Sequence, residues 1–425
     1  MKFSRIAFFL TFLLIYIGES VAQELIWERV ESGFPADVRI DSSDDVIVAT
    51  QSPGQILKYS EQGELIWKIQ DSVQSAEAIA VDPWQNIVRV SGISAVRKLN
   101  KDGQVLWDIQ LRDISSHLYD VDCDSDGNIY ISGQNYGIIV VKLSSDGDVL
   151  WSHEENHWGW GKSCKVDPWG DVIVSGVDQG QYWQDYNWKI MKFNHNGEKA
   201  WERIEGSPAS DNIRSSTIDK FGNIYVGGDW LAKYDVYGNL MWFDPVGLSM
   251  IRTVATDGVE ALFVGVKEIS QSSKIVKCDL DGGILWQIES VGAPNGYIET
   301  IACAGSNHIG VVSSVGDSPS TVTGYYTVGE VEAEVLYDAP PSLSIFPNPV
   351  NDSIVYFRTG KRKESWTVKI YDVKGRLVHS LDGMDEGGTW NCRDISNEQV
   401  SPGVYIGKLI LGGTPIALSE IIITE

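Results

Sequence analysis

At 425 residues, 43% hydrophobic and 22% charged, the chain has the makeup of ordinary globular material, enough for one large domain or two to three smaller ones. A formal net charge of −24 repels phosphate backbones and speaks against nucleic acid as a partner. No cysteine or histidine grouping has the spacing of a zinc site.

The chain opens with Lys2 and Arg5, then the apolar run Ile6 to Ile17, then Val21-Ala22. This order predicts a signal peptide over 1–22, cleaved near Ala22-Gln23, so the mature protein is expected to leave the cytoplasm. No later stretch approaches the roughly 18 apolar residues of a spanning helix.

A short pattern, Lys-x4-Gly-x3-Trp, then recurs at Lys58/Gly63/Trp67, Lys98/Gly103/Trp107, Lys142/Gly147/Trp151, Lys192/Gly197/Trp201, Lys233/Gly238/Trp242 and Lys277/Gly282/Trp286. Self-similarity at such a period marks a repeat architecture. Ahead of each copy lies an apolar alternation, with starts at Val38, Ala78, Tyr119, Cys164, Ser216 and Arg252, and a further one begins at Ile298. Each half reads as two short strands around a turn such as Asp167-Pro-Trp-Gly170 or Asp146-Gly147, where glycine supplies a positive φ at little steric cost. Four short antiparallel strands per period predict a propeller blade.

There is one more first half than second half. Trp27, in Leu25 to Val30, lies one period upstream of Trp67, so this N-terminal strand is expected to complete the last blade and remove the exposed sheet edges. The predicted fold is all-β: a seven-bladed β-propeller over 23–331, with six or eight blades as alternatives, followed by a small antiparallel β-sandwich.

The Gly-x3-Trp half resembles the tryptophan-docking repeat of quinoprotein-dehydrogenase (PQQ-type) and outer-membrane assembly-factor propellers, and of bacterial seven-bladed propeller repeats. The resemblance implies that Trp27, Trp67, Trp107, Trp151, Trp201, Trp242 and Trp286 pack between blades. The repeat lysine is expected to lay its stem on a neighbouring blade and leave its charge in solvent. Cys123, Cys303 and Cys278 fall where sister repeats carry apolar residues, which predicts buried, inert thiols.

Residues 332–342, with Glu332, Glu334 and Pro340-Pro341, read as a linker. About 80 residues of alternating strands follow, over 343–425. Their motifs include Pro347-Asn348-Pro349, then Gly375-Arg376 within Val368 to Val378, then Gly403-Val-Tyr405. In this order they resemble the C-terminal sorting domain of the type IX secretion system of Bacteroidota and relatives. The resemblance implies secretion machinery as a partner, delivery through the periplasm to the surface or the medium, and removal of the module after translocation.

For chemistry the sequence offers less. No vicinal cysteine pair, repeated Asp-box or Ser/His/Asp motif is present. Asp122-x-Asp124-x-Asp126-Gly127 matches the opening of a calcium loop, but the twelfth position is Gly133, and an ordinary hairpin turn competes with it. Calcium is therefore the one cofactor left open. The fourth repeat is decorated by Glu154 to Gly161 and by an insertion from Val177 to Trp188. Read as loops on one face, these gather Trp158, Trp160, Tyr182, Trp183 and Tyr186 beside Asp178 and Asp185, a surface suited to sugar rings or a protein partner. The expected role is an exported binding module for glycan or protein. The alternative is a polysaccharide hydrolase or lyase using carboxylates on that face.

Overall fold

The computed structural model describes residues 23–328 apart from 72–74, 180–185, 206–211, 244–247, 249, 268–272, 290–296, 305–307 and 316–317, and residues 344–423 apart from 347–354, 359–364, 384–386 and 412–413. The linker and the signal segment lie outside these residues. Among the described residues all regular elements are strands, because the sequence alternates apolar and polar residues in short runs punctuated by Asp/Gly turns.

Among the described residues of 23–328, the strands fall into seven antiparallel groups of four. The first runs Phe34–Ile40, Val46–Gln51, Gly54–Tyr59, Leu65–Asp71, from the inside outward. The middle strands are almost wholly buried, while outer strands such as Val105–Gln110 alternate with solvent. One strand serves two groups: Val149–Val166, 18 residues long, pairs first with Gly137–Leu143 and then with Val172–Asp178. The expected loop at 154–161 is therefore corrected to continuous strand. Gly159 permits this, since a Cβ there would stand 2.4 Å from the Val177 carbonyl oxygen.

The ring closes. Each inner strand touches the next, and the last, Ile298–Ala304, touches the first, where Thr300 Oγ1 donates to Asp37 Oδ1 at 3.3 Å. Gln23–Ser32 pairs antiparallel with Ser318–Val328 as the outermost strand of the final group, so the N-terminal segment finishes the sheet begun 275 residues later, at Ile298. Hydrophobic clusters lie between successive sheets all the way round; the one spanning the closure joins Trp27, Val38 and Val48 to Ala302 and Val312. Burying each sheet's two faces against its neighbours is what stabilises a propeller.

Tryptophan docking fastens one group to the next. Trp67 Nε1 donates to the Lys101 carbonyl (3.0 Å), Trp107 to Ser145 (3.2 Å), Trp151 to His195 (3.1 Å) and Trp201 to Val236 (3.2 Å). Trp27 does the same across the closure, to Glu61 (2.8 Å). The repeat glycine is doubly required: Gly63 has φ +77°, and a Cβ on it would lie 2.5 Å from the Trp27 ring.

Five of the six repeat lysines correct the sequence reading, because they are buried rather than in solvent. Lys58, Lys98, Lys142, Lys192 and Lys233 are buried. Lys98 meets Asp82 at 2.9 Å, Lys192 meets Asp167 at 2.7 Å, and Lys58 meets Asp41 at 2.7 Å. Each aspartate belongs to the first-half turn of the same group. One carboxylate oxygen caps the turn, as Asp82 Oδ1 does by accepting from the amides of Trp84 and Asn86, and the other receives the lysine. Lys98 also donates to the Ser145 carbonyl that accepts from Trp107, so turn, strand and next group are tied at one point. A lysine stem long enough to reach water is instead held inward because the turn aspartate needs a counter-charge.

All five cysteines are unpaired. Cys164, Cys278 and Cys392 are buried as expected of inert thiols, whereas Cys123 and Cys303 are partly exposed, a correction to the reading from repeat register.

Residues 344–423 form two antiparallel sheets, Ser344–Phe346/Val355–Arg358/Gly387–Trp390 and Leu377–Gly383/Trp366–Asp372/Gly403–Leu411/Thr414–Ile423. Trp366, Val368, Ile370, Trp390, Tyr405 and Leu409 are among their shared core. Gly387–Trp390 was not legible, as Gly-Gly-Thr-Trp carries no alternation. Gly375 (φ +77°) and Arg376 belong to a turn capped by Asp372, which accepts from Arg376 Nε at 2.7 Å, and Tyr405 Oη donates to the Ser401 carbonyl at 2.7 Å. Pro347, Asn348 and Pro349 lie outside the described residues.

Candidate functional site at the channel mouth

The seven inner strands surround a cavity of about 640 Å³. Six of them carry a register shift at one equivalent position: between Pro35 and Asp37, Leu118 and Asp120, Gly161 and Ser163, Ile213 and Ser215, Ile251 and Thr253, and Ile298 and Thr300. A β-bulge inserts an extra residue and re-aims it. The bulged residues are Ala36, Tyr119, Lys162, Arg214, Arg252 and Glu299, and Glu77 takes the equivalent place at the start of the remaining strand; all line the cavity. Where the turn aspartate is present, the bulged residue precedes it by five positions. One ring of the channel is thus built from a single repeat position filled by seven mostly charged or aromatic side chains.

Deeper in, the charges are matched. Asp120 accepts from Lys165 Nζ (2.6 Å), the Cys164 amide (2.9 Å) and Ser163 Oγ (3.1 Å), and lies 3.7 Å from Arg39. Burial works against its charge, but Lys165 and Arg39 outweigh that and hold the carboxyl below the usual range. Asp37 is hydrogen-bonded to Arg39 and to the Ile79 amide (3.0 Å).

The mouth is different. Lys162 makes no ion pair among the described residues; its ammonium sits 3.6 Å from the Tyr119 ring centre, and burial pushes its pKa down to about 8. Arg214 likewise has no ion-pair partner there, and burial, then the nearby Arg252, lower its proton affinity. Arg252 bonds Glu299 at 2.5 Å and covers the Tyr297 ring at 4.7 Å. Glu77 accepts from Gln51 Nε2 at 3.1 Å, and burial raises its pKa against the pull of Lys162. Burial and then Glu77 push Tyr119 up to about 12.

Trp160 lines this cavity and stacks on Tyr186, ring centres 5.8 Å apart and planes 15° apart. Trp158 instead meets Tyr136 edge-on at 6.2 Å. Asp178 is buried and bound by Lys189 at 3.1 Å, so its charge is already answered. Glu155 is held well below the carboxylate range by its bond to His153, with burial opposing and Lys189 and Lys199 assisting. Tyr182, Trp183 and Asp185 lie outside the described residues.

Two of the three aspartates at 122–126 are engaged in hydrogen bonds. Asp122 accepts from the Cys123 and Val166 amides, and Asp124 from the amides of Asp126 and Asn128, Asn128 Nδ2 and Tyr130 Oη. Among the described residues no group of three His, Cys, Asp or Glu is arranged to hold a metal.

Sequence reading missed Glu77, Tyr119, Lys162, Arg214, Arg252 and Glu299. Their signal was present as one column of the repeat, five residues ahead of the turn aspartate, but the bulge that turns the column inward is not visible in a string.

Residues 344–424 match the family model of the secretion system C-terminal sorting domain, and residues 21–157 match that of the outer membrane protein assembly factor BamB. Among solved structures the chain is similar to virginiamycin B lyase from Staphylococcus aureus, at 10% identity and TM-score 0.55, covering 71% of this chain and 99% of that one. It is similar to Chaetomium thermophilum Raptor at 13% identity and TM-score 0.58, covering 72% of this chain and 29% of that one. PorZ, a surface component of the type IX secretion system of Porphyromonas gingivalis, aligns at 15% identity and TM-score 0.49. That alignment covers 93% of this chain, which spans 60% of the length of PorZ. No curated protein matches the chain at a significant level. The likenesses to the lyase and to Raptor show the propeller fold, and the sorting domain marks the protein as cargo of the type IX secretion machinery, bound for the cell surface or release. No helix among the described residues is long and apolar enough to cross a membrane.

Proposed function

We propose that the protein is an exported glycan-binding module whose ligand enters the propeller channel against Trp160. The observation that carries this reading is the parallel stack of Trp160 on Tyr186 at the wall of a polar cavity. A flat aromatic face suits the C–H face of a sugar ring, while the polar groups of the mouth suit its hydroxyls. A glycan array probed with the purified chain tests it: selective binding is expected, with loss in Trp160→Ala at unchanged melting temperature. Silence across the array rejects the reading and redirects attention to a protein ligand.

A second, hydrolytic reading draws on Glu77 alone. A carboxyl whose pKa is raised by burial has the profile of a general acid. New reducing ends from a bound oligosaccharide, absent in Glu77→Gln, would support it; none from the unaltered chain removes it.

A further inference from the structure

The mouth ring is electrically lopsided. Lys162, Arg214 and Arg252 come from three successive inner strands, whereas the carboxylates Glu77 and Glu299 stand on the far side, flanking Ala36. Among the described residues, Arg252 alone of the three has a carboxylate ion-pair partner, Glu299. Burial weakens the hold of Lys162 on its proton, with Glu77 opposing and Arg214 assisting, and burial and then Arg252 weaken that of Arg214. In a chain of net charge −24, two cations kept unpaired at the mouth of a cavity are an unmet demand for negative charge. A guanidinium offers paired N–H donors matched to a planar or tetrahedral oxyanion, and an ammonium adds a point charge. Trp160 stands two residues from Lys162 on the same strand, so a ring stacked there carries its substituents toward the cationic arc.

We propose that the channel mouth selects an acidic sugar, holding its carboxylate or sulfate on Arg214 and Lys162, with Arg252 completing the arc. This inference rests on the glycan-binding reading and narrows it to charged glycans. Neutral sugars leave the two cations unanswered, and acidic ones neutralise them without any metal.

The test uses the full chain in calorimetric titrations against an oligogalacturonate, a sulfated oligosaccharide of equal length and a neutral maltooligosaccharide. At least one acidic probe is expected to bind ten-fold or more tighter than the neutral one. Which acidic probe binds identifies carboxylate or sulfate as the source of charge. Arg214→Glu is expected to weaken that binding at least a hundred-fold with an unchanged melting curve, and Arg214→Lys to retain most of it. Affinity should also fall between pH 7 and pH 9 as Lys162 loses its proton, and that fall should vanish in Lys162→Arg. Equal binding of neutral and acidic probes, insensitive to Arg214→Glu but lost in Trp160→Ala, overturns the acidic selection and leaves the glycan reading standing. Binding of no oligosaccharide overturns both.

Discussion

Two kinds of partly or wholly buried lysine divide this molecule. Lys58, Lys98 and Lys192 are closed into short ion pairs with the aspartates that cap their own turns, and burial notwithstanding, Asp41 and Asp45 raise the proton affinity of Lys58. Lys162 makes no ion pair among the described residues and lies against the Tyr119 ring, and burial, opposed by the longer-range pull of Glu77, lowers its proton affinity. The first arrangement recurs from group to group and locks strands to turns; the second occurs at one bulge and faces a cavity. The difference teaches that a buried charge with a partner is architecture, and one without is a site waiting for a ligand.

The largest expected effects break the architectural side. Trp27→Ala removes the docking contact at the ring closure and should cost about 3–5 kcal/mol, read as a lower urea midpoint. Lys98→Ala leaves Asp82, whose side chain has no exposed surface, without its counter-charge, and should cost about 3 kcal/mol by the same measurement. The double variant Asp82→Asn/Lys98→Met should recover much of that loss. Additive losses would deny the latch. Gly63→Ala should destabilise through both its positive φ and its clash with Trp27, and the loss should shrink when Trp27 is also truncated.

On the site side the effects on stability are small and opposite in sign. Lys162 holds its proton less tightly in the folded chain, about 8 against an ordinary 10.5. Below pH 8 it is charged in both states and its burial penalty is fully present. Between pH 8 and 10.5 the unfolded chain keeps a proton that the folded one has shed, so stability contributed by this group rises with pH. Lys162→Met should therefore melt slightly higher than the unaltered protein at pH 7, and the gap should close by pH 10. A gap that widens with pH would contradict the unpaired state of Lys162.

The sequence made the docking legible because glycine and tryptophan recur at fixed spacing, and each has one dominant physical use there. It made the N-terminal strand legible because Trp27 sits one period early. The lysine was misread because its partner lies across two strands of the same sheet: Asp41 and Asp82 recur as faithfully as Lys58 and Lys98, but only pairing brings them together. The first loop of the fourth repeat was misread because Glu154 to Gly161 has glycines enough for a loop, yet those glycines serve the close passage of one long strand. The cationic arc escaped because bulges, which decide whether Arg214 or Ser215 enters the channel, depend on hydrogen-bond register rather than on composition.

The most direct measurement is a pH titration of the full chain labelled with ¹³C at lysine Cε, followed by NMR and compared with Lys162→Arg. One resonance, absent in that variant, should titrate with a midpoint near pH 8, while Lys58 keeps its proton beyond the ordinary lysine range. If every lysine instead titrates at or above pH 10.5, Lys162 is paired or solvated like the rest, and the distinction between latch and site fails.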